Sequence, residues 1–203
     1  MKIGLFGTGA YGLALSSILV HNHCDVTMWT KVKEEKEQLE KTGMIEKYLP
    51  GYKLDKSVKV TCDVKTCIKD ADLLIIAIPA VFVDSLCQEM APYIKDQHIV
   101  IATKGIEQGT GLFMSQIVEK HLNTSNIAVI SGGTFAIDLI TKMPAGLAIA
   151  STNPETTLLA RQALQNNYLK LRENNDMIGI EICGSIKNVI ALAAGMLAGL
   201  KAN

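Results

Sequence analysis

The segment Ile3-Gly4-Leu5-Phe6-Gly7-Thr8-Gly9-Ala10-Tyr11-Gly12-Leu13-Ala14-Leu15 spaces three glycines as G-x-G-x-x-G between a short apolar strand and an apolar helix. Each glycine has a separate physical task. Gly7 allows the tight strand-to-helix turn, Gly9 lets a pyrophosphate approach the backbone, and Gly12 lets the helix pack closely on the strand. The start of that helix offers free N–H groups and the positive end of the helix dipole to phosphates. Glycine-rich turns are common by themselves. The strand before this one and the helix after it make it a candidate dinucleotide cradle.

Beyond the cradle the pattern alternates. Strands are expected at Lys2–Gly7, Asp25–Trp29, Val58–Thr61, Leu73–Ile78, His98–Ala102, Ile127–Ile130, Leu147–Ala150 and Tyr168–Leu171. Helices are expected at Tyr11–Val20, Lys33–Lys41 (charged and exposed), Val64–Lys69, Val81–Met90, Leu112–His121 and Pro154–Gln165. Leu73-Leu74-Ile75-Ile76-Ala77-Ile78 is apolar without alternation, as a strand covered on both faces must be. Strands alternating with helices predict an α/β fold of Rossmann type, a doubly wound parallel sheet, over residues 1–174. Asn175–Leu200 then reads as one long helix, apolar nearly all round, which requires cover from other helices. Residues 175–203 are expected to be the start of a truncated helical domain, with a dimer partner as the other means of covering that helix.

Composition removes some function classes. Twenty basic residues balance twenty acidic ones, so bulk charge gives no reason to expect nucleic acid or a membrane surface as partner. The opening Met1-Lys2-Ile3-Gly4-Leu5-Phe6-Gly7 is already a strand, so no secretory signal is expected. The longest uncharged apolar run, Val189–Leu200, is too short to span a bilayer. Cys24, Cys62, Cys67, Cys87 and Cys183 are odd in number and fall within apparent core elements, which suits reduced thiols in a cytoplasmic protein. The run His21-Asn22-His23-Cys24 has no further ligand nearby in sequence and sits at a turn, so no metal site is expected.

Three lysines and one turn carry the remaining chemistry. The second strand exits as Trp29-Thr30-Lys31-Val32-Lys33, with no acid until Glu34, where an NAD-selective fold places one for the ribose hydroxyls. Lys31 is either a partner for a 2′-phosphate or a solvated lysine at a helix start. Lys187 has Cys183, Gly184, Ile190 and Ala191 as its helical neighbours, none of them charged. It needs a partner, a ligand or a lowered pKa, or else it snorkels past the helix rim. Lys104, in Thr103-Lys104-Gly105-Ile106-Glu107, follows the carboxyl end of a strand, where open α/β sheets bind ligands; the alternative is a surface-loop lysine. Ser131-Gly132-Gly133-Thr134-Phe135-Ala136 is a second strand-to-helix turn. It either brings amides to a ligand or is an ordinary turn with Thr134 as N-cap.

Taken together, the G-x-G-x-x-G turn, Trp29-x-Lys31, Tyr48-Leu49-Pro50-Gly51, Ala77-Ile78-Pro79, the stretches 103–107 and 131–136, and Glu181–Met196 resemble the bacterial NAD(P)-dependent glycerol-3-phosphate dehydrogenases. The resemblance runs from Met1 to Leu200. It implies an enzyme that interconverts dihydroxyacetone phosphate and sn-glycerol 3-phosphate for phospholipid synthesis, using NADP(H) or NAD(H). By that resemblance Lys187 is the catalytic proton donor or acceptor. Lys104, Gly132, Thr134 and Asn188 line the substrate site. Gly7, Gly9, Ala10, Tyr11, Gly12, Lys31, Lys104 and Ala136 meet the cofactor.

Ala10 and Tyr11 stand where the family commonly has Ser and Trp, Gly133 where it has Pro, and Asp138 where it has Glu. The resemblance implies that the rest of the family's helical domain, with an Asp and an Arg-Asn pair that hold the substrate, falls beyond Asn203, so the chain is expected to bind dinucleotide but turn over poorly. The alternatives are a non-catalytic dinucleotide-binding regulatory module and a 6-phosphogluconate or β-hydroxyacid type dehydrogenase, which the 103–107 stretch fits poorly.

Overall fold

The computed structural model describes residues 1–200. Its strands are β1 (Lys2–Phe6), β2 (Asp25–Trp29), β3 (Lys59–Thr61), β4 (Leu73–Ile76), β5 (His98–Ile101), β6 (Ile127–Ser131), β7 (Ala145–Ser151) and β8 (Leu169–Asn174). Its helices are α1 (Ala10–His21), α2 (Lys33–Thr42), α3 (Val64–Ile68), α4 (Val83–Met90), α5 (Met114–Leu122), α6 (Ala136–Ile140), α7 (Pro154–Leu164) and α8 (Met177–Gly199). A short 3-10 turn at Ala80–Phe82 precedes α4, so the helix expected from Val81 begins two residues later.

The strands form one sheet in the order β3-β2-β1-β4-β5-β6-β7-β8. Side chains alternate across it. Ile3, Leu5, Val26, Met28, Leu73 and Ile75 join α1 and α7 in one core layer. Phe6, Trp29, Leu74, Ile76, Ile99 and Ile101 join α3, α4 and α5 in the other. All four residues of β4 are fully buried, which explains its unbroken apolar run: helices cover both faces. The order reverses between β1 and β4. That switch point opens a crevice at the carboxyl ends of the strands, where ligands of open α/β sheets bind.

Three expectations change. The sheet is parallel except that β7 runs antiparallel to β6. The link from Gly132 to Pro144 turns back at the carboxyl end of β6 instead of crossing the sheet. The outer half of α8 is not covered: Ile180, Glu181 and Gly184 are its buried residues, while Val189, Ile190, Leu192, Met196 and Leu197 are exposed. The uncharged run Val189–Leu200, all but its last residue, is thus part of a 23-residue helix of mean hydropathy 1.5, long and apolar enough by those measures to cross a membrane. Its first half is bound to the sheet through the contacts described below. Finally, of the five thiols only Cys67 and Cys87 are buried; Cys24 and Cys62 are half-buried and Cys183 is exposed. All five are free, and burial pushes Cys87 up to about 12. The final residues of the expected 175–203 segment lie outside the described residues.

Candidate dinucleotide cradle and active site

The glycine turn is tied to the second strand through Gly7, whose N–H donates to the Trp29 carbonyl at 2.9 Å. Gly7 has φ +125°, and a Cβ there would lie 2.4 Å from the Ala77 carbonyl oxygen across the switch point. A Cβ on Gly12 would lie 2.1 Å from the Gly7 carbonyl oxygen. Gly9, the N-cap of α1, differs: a Cβ there meets nothing within 4 Å. Two glycines serve the close passage of turn, helix and strand. The third faces open space at a helix N-terminus with no side-chain cap, where unpaired N–H groups of Ala10 and Tyr11 begin the helix. This cradle fits the pyrophosphate of a dinucleotide.

Thr8, between the glycines, is buried and donates its hydroxyl to Glu35 Oε2 at 2.6 Å. Thr30, just past β2, donates to the same oxygen at 2.9 Å, and the Tyr48 hydroxyl donates to Oε1 at 2.6 Å. The sequence placed Glu35 on an exposed charged helix; it is buried instead. Its spacing from the buried Leu39, one helical turn on, was the available signal. Lys31 is exposed, and among the described residues it makes no ion pair.

A second cluster forms opposite the glycine turn. Lys104 follows β5 on a segment pinned by Thr103, whose hydroxyl donates to the Ile78 carbonyl at 2.8 Å. Its ammonium donates to the Gly132 carbonyl at 3.1 Å and lies 5.4 Å from the centre of the Tyr11 ring. The Tyr11 and Thr134 hydroxyls are 3.1 Å apart. Thr134 is therefore occupied with α1; Phe135 is the N-cap of α6, which corrects the N-cap expectation. Burial raises the Tyr11 phenol, against the opposing effect of the Thr134 hydrogen bond.

Lys187 reaches this cluster because α8 is docked by two residues on its inner side. Glu181 accepts the Ser115 N–H at 2.9 Å and the Ser115 hydroxyl at 2.5 Å, which caps the N-terminus of α5 from a neighbouring helix. Burial raises the Glu181 carboxyl, with Ser115 opposing. Gly184 permits close approach: a Cβ there would lie 2.6 Å from Ser131 Oγ and 3.5 Å from Lys104 Cγ. Ile180, Gly184 and Lys187 share one helix face, so the half-buried Lys187 points along the same wall. Its ammonium lies 5.7 Å from the centre of the exposed Phe135 ring. Sequence reading gives Glu181, Gly184, Ser131 and Phe135 no role of their own, although Ser131 and Phe135 lie in the second turn and Gly184 beside Lys187. A glycine inside a helix, costly there, was the best signal for the docking point.

The structure thus brings Tyr11, Lys104, Gly132, Thr134 and Lys187 together, with Ala136 half-buried at the start of α6. Asn188, next to Lys187, is exposed. Lys104 is pushed down to about 8, first by burial and then by the Lys187 ammonium beside it. Two cations facing one cleft are poised for an anion. Lys187→Met should raise the Lys104 pKa from about 8, though burial keeps it below the ordinary lysine value. Titration of ε-13C-labelled lysines by NMR reads this directly, and an unmoved Lys104 would show that the two charges do not share the site. The sign for stability follows from linkage. Between about 8 and the ordinary 10.5 the unfolded chain holds a proton that folded Lys104 has released, so this group makes stability rise with pH across that window.

The chain matches the family model described as NAD-dependent glycerol-3-phosphate dehydrogenase N-terminus over residues 2–157, and the corresponding C-terminus model over residues 176–203. Among curated relatives, the glycerol-3-phosphate dehydrogenase (NAD(P)+) of Agathobacter rectalis is 37% identical over 201 residues, covering 98% of this chain and 60% of the relative. The enzyme of the same name from Psychrobacter arcticus is 34% identical over 198 residues, covering 98% of this chain and 46% of the relative. The chain therefore spans about half the length of the curated relatives it matches. Among solved structures, glycerol-3-phosphate dehydrogenase from Coxiella burnetii superposes with a TM-score of 0.91 at 28% identity, covering all of this chain and 62% of the other.

Proposed function

The chain belongs to the NAD-dependent glycerol-3-phosphate dehydrogenase family, and from that premise we propose that it binds NADP(H) or NAD(H) and forms the dinucleotide half of an enzyme reducing dihydroxyacetone phosphate to sn-glycerol 3-phosphate. Residues 1–174 are the dinucleotide-binding domain in this reading, and 175–203 begin the substrate domain. The observation that carries it is the meeting of Lys104 and Lys187 beside the Gly132–Thr134 turn, across the switch point from the glycine cradle.

The dinucleotide, when bound, supplies or accepts the hydride. The remaining work belongs to the chain. Gly7, Gly9, Ala10, Tyr11, Gly12 and Ala136 hold the cofactor. Lys104, with Gly132, Thr134 and Asn188, holds the phosphate substrate. As the substrate carbonyl is reduced, negative charge grows on its oxygen, and the Lys187 ammonium stabilises that charge and delivers the proton. Oxidation is the reverse, with Lys187 as acceptor. The cytoplasmic location rests on the free thiols, and a homodimer on the uncovered outer half of α8.

Calorimetric titration with NADPH and NADH tests the binding, and loss of NADPH absorbance with dihydroxyacetone phosphate tests the reaction. Both dinucleotides are expected to bind. Lys31→Glu is expected to weaken NADPH about tenfold or more relative to NADH, the value of one charge-assisted contact. A folded protein that binds neither would overturn the reading. Binding without turnover in any context would favour the non-catalytic module.

A further inference from the structure

We propose that Glu35 is a specificity-determining carboxylate of the dinucleotide site: delivered from α2 to the junction of the glycine turn and the exit of β2, it opposes the 2′-phosphate of NADP(H) and offsets the pull of Lys31. The proposal rests on the dinucleotide-binding reading above. Folds that select NAD place an acid at the end of β2, next to the adenosine ribose. Here β2 exits through Trp29-Thr30-Lys31 and offers none. The carboxylate arrives from the first turn of the next helix instead.

Its position is fixed by contacts to three segments. Oε2 accepts from Thr8 in the glycine turn at 2.6 Å and from Thr30 at the strand exit at 2.9 Å. Oε1 accepts from Tyr48 at 2.6 Å, in the loop before β3. With both oxygens engaged and the side chain 9% exposed, Glu35 is placed to act through charge and through the setting of Thr8 and Thr30, not as a direct ribose ligand. Three neutral hydroxyls disperse that charge without cancelling it. The cation that pairs with it, Lys47 at 3.5 Å, is 64% exposed and therefore screened. Burial by itself would raise the carboxyl. The hydroxyls of Thr8, Tyr48 and Thr30, with the Lys47 ammonium, outweigh burial and hold it below the usual glutamate value. The group is an anion at neutral pH.

NADH and NADPH differ only in the 2′ substituent, a hydroxyl in one and a phosphate in the other. A fixed anion beside the β2 exit bears on the second and hardly on the first. The ratio of the two affinities is therefore the readout. A carboxylate that merely braced the turn would affect both cofactors alike.

The test is Glu35→Gln, with the dissociation constants of NADH and NADPH measured by calorimetry at low and high salt. Removal of the charge is expected to improve NADPH relative to NADH by about three- to tenfold at low salt, and by less at high salt. Equal weakening of both, or an unmoved ratio, would overturn the proposal. Circular dichroism reports whether the variant folds. If it does not, Tyr48→Phe decides: it keeps the charge and removes one hydroxyl that disperses it, so the ratio should move the other way, toward NADH, and an unmoved ratio again overturns the proposal. Wild-type protein that binds neither dinucleotide would refute the cradle and this inference together, a result distinct from two bound dinucleotides with an unchanged ratio.

Discussion

Gly9→Val is expected to leave the protein folded and to remove dinucleotide binding. The backbone at Gly9, φ −64° and ψ 174°, is open to any residue. A Cβ there meets no atom within 4 Å, so nothing inside the protein resists the side chain. The space it fills is the approach to the first N–H groups of α1. Loss of two phosphate contacts at about 1.5 kcal/mol each corresponds to about a hundredfold in affinity. Calorimetry with NADH and NADPH measures the loss, and a thermal melt close to wild type shows that the fold persists. Gly12→Val is the contrasting substitution. Its Cβ would stand 2.1 Å from a backbone oxygen of the turn, so this variant should lose stability before it loses binding. Gly9→Val protein that binds within a few-fold of wild type would mean the pyrophosphate does not sit on this turn.

That contrast also shows how far the sequence carries. Spacing and flanking pattern place the three glycines on a turn, and the turn forms where they predict it. The division of labour between Gly9, which faces open space, and Gly7 and Gly12, which face backbone, is legible from the motif, although the backbone that crowds Gly7 is that of Ala77, just past β4. The direction of β7 was not. Its apolar residues read as a strand either way, and the link from Gly132 to Pro144 is long enough either to cross the sheet or to turn back. Glu35 was hidden for a related reason. Among seven charged residues in Lys33–Thr42 its spacing from Leu39 is the one local sign of burial, and its partners Thr8 and Tyr48 lie in other segments. The long apolar helix was legible as a helix, but the pattern cannot say which half is covered. Glu181 and Gly184 mark the docked half through contacts to Ser115 and Ser131, far away in sequence.

Lys187 carries the other large effect. From sequence it was a lysine without a charged neighbour, and either a snorkelling side chain or a working group would fit. The structure places it half-buried on the docked side of α8, close enough to Lys104 to lower that group's pKa and near the Phe135 ring. A lysine that snorkelled away from the protein would do neither. Because the chain spans about half the length of its relatives, turnover is best read in a fusion of residues 1–203 to the part of the Agathobacter rectalis relative that lies beyond the match. That fusion is expected to reduce dihydroxyacetone phosphate faster than the 203-residue chain.

Lys187→Met in the fusion should then lower kcat by at least about a hundredfold, the scale of losing a general acid, and by more where charge stabilisation is lost as well. Dissociation constants for NADH and NADPH should stay within a few-fold, since no cofactor contact is removed. The methionine keeps the length and apolar stem of lysine, so packing of α8 against Ser131 and Lys104 is retained. Steady-state kinetics from NADPH absorbance, beside calorimetry on the same variant, separates the two quantities. Near-wild-type turnover in Lys187→Met would remove this lysine from the reaction and leave Lys104, the other cation of the cleft, as the group to test for proton delivery.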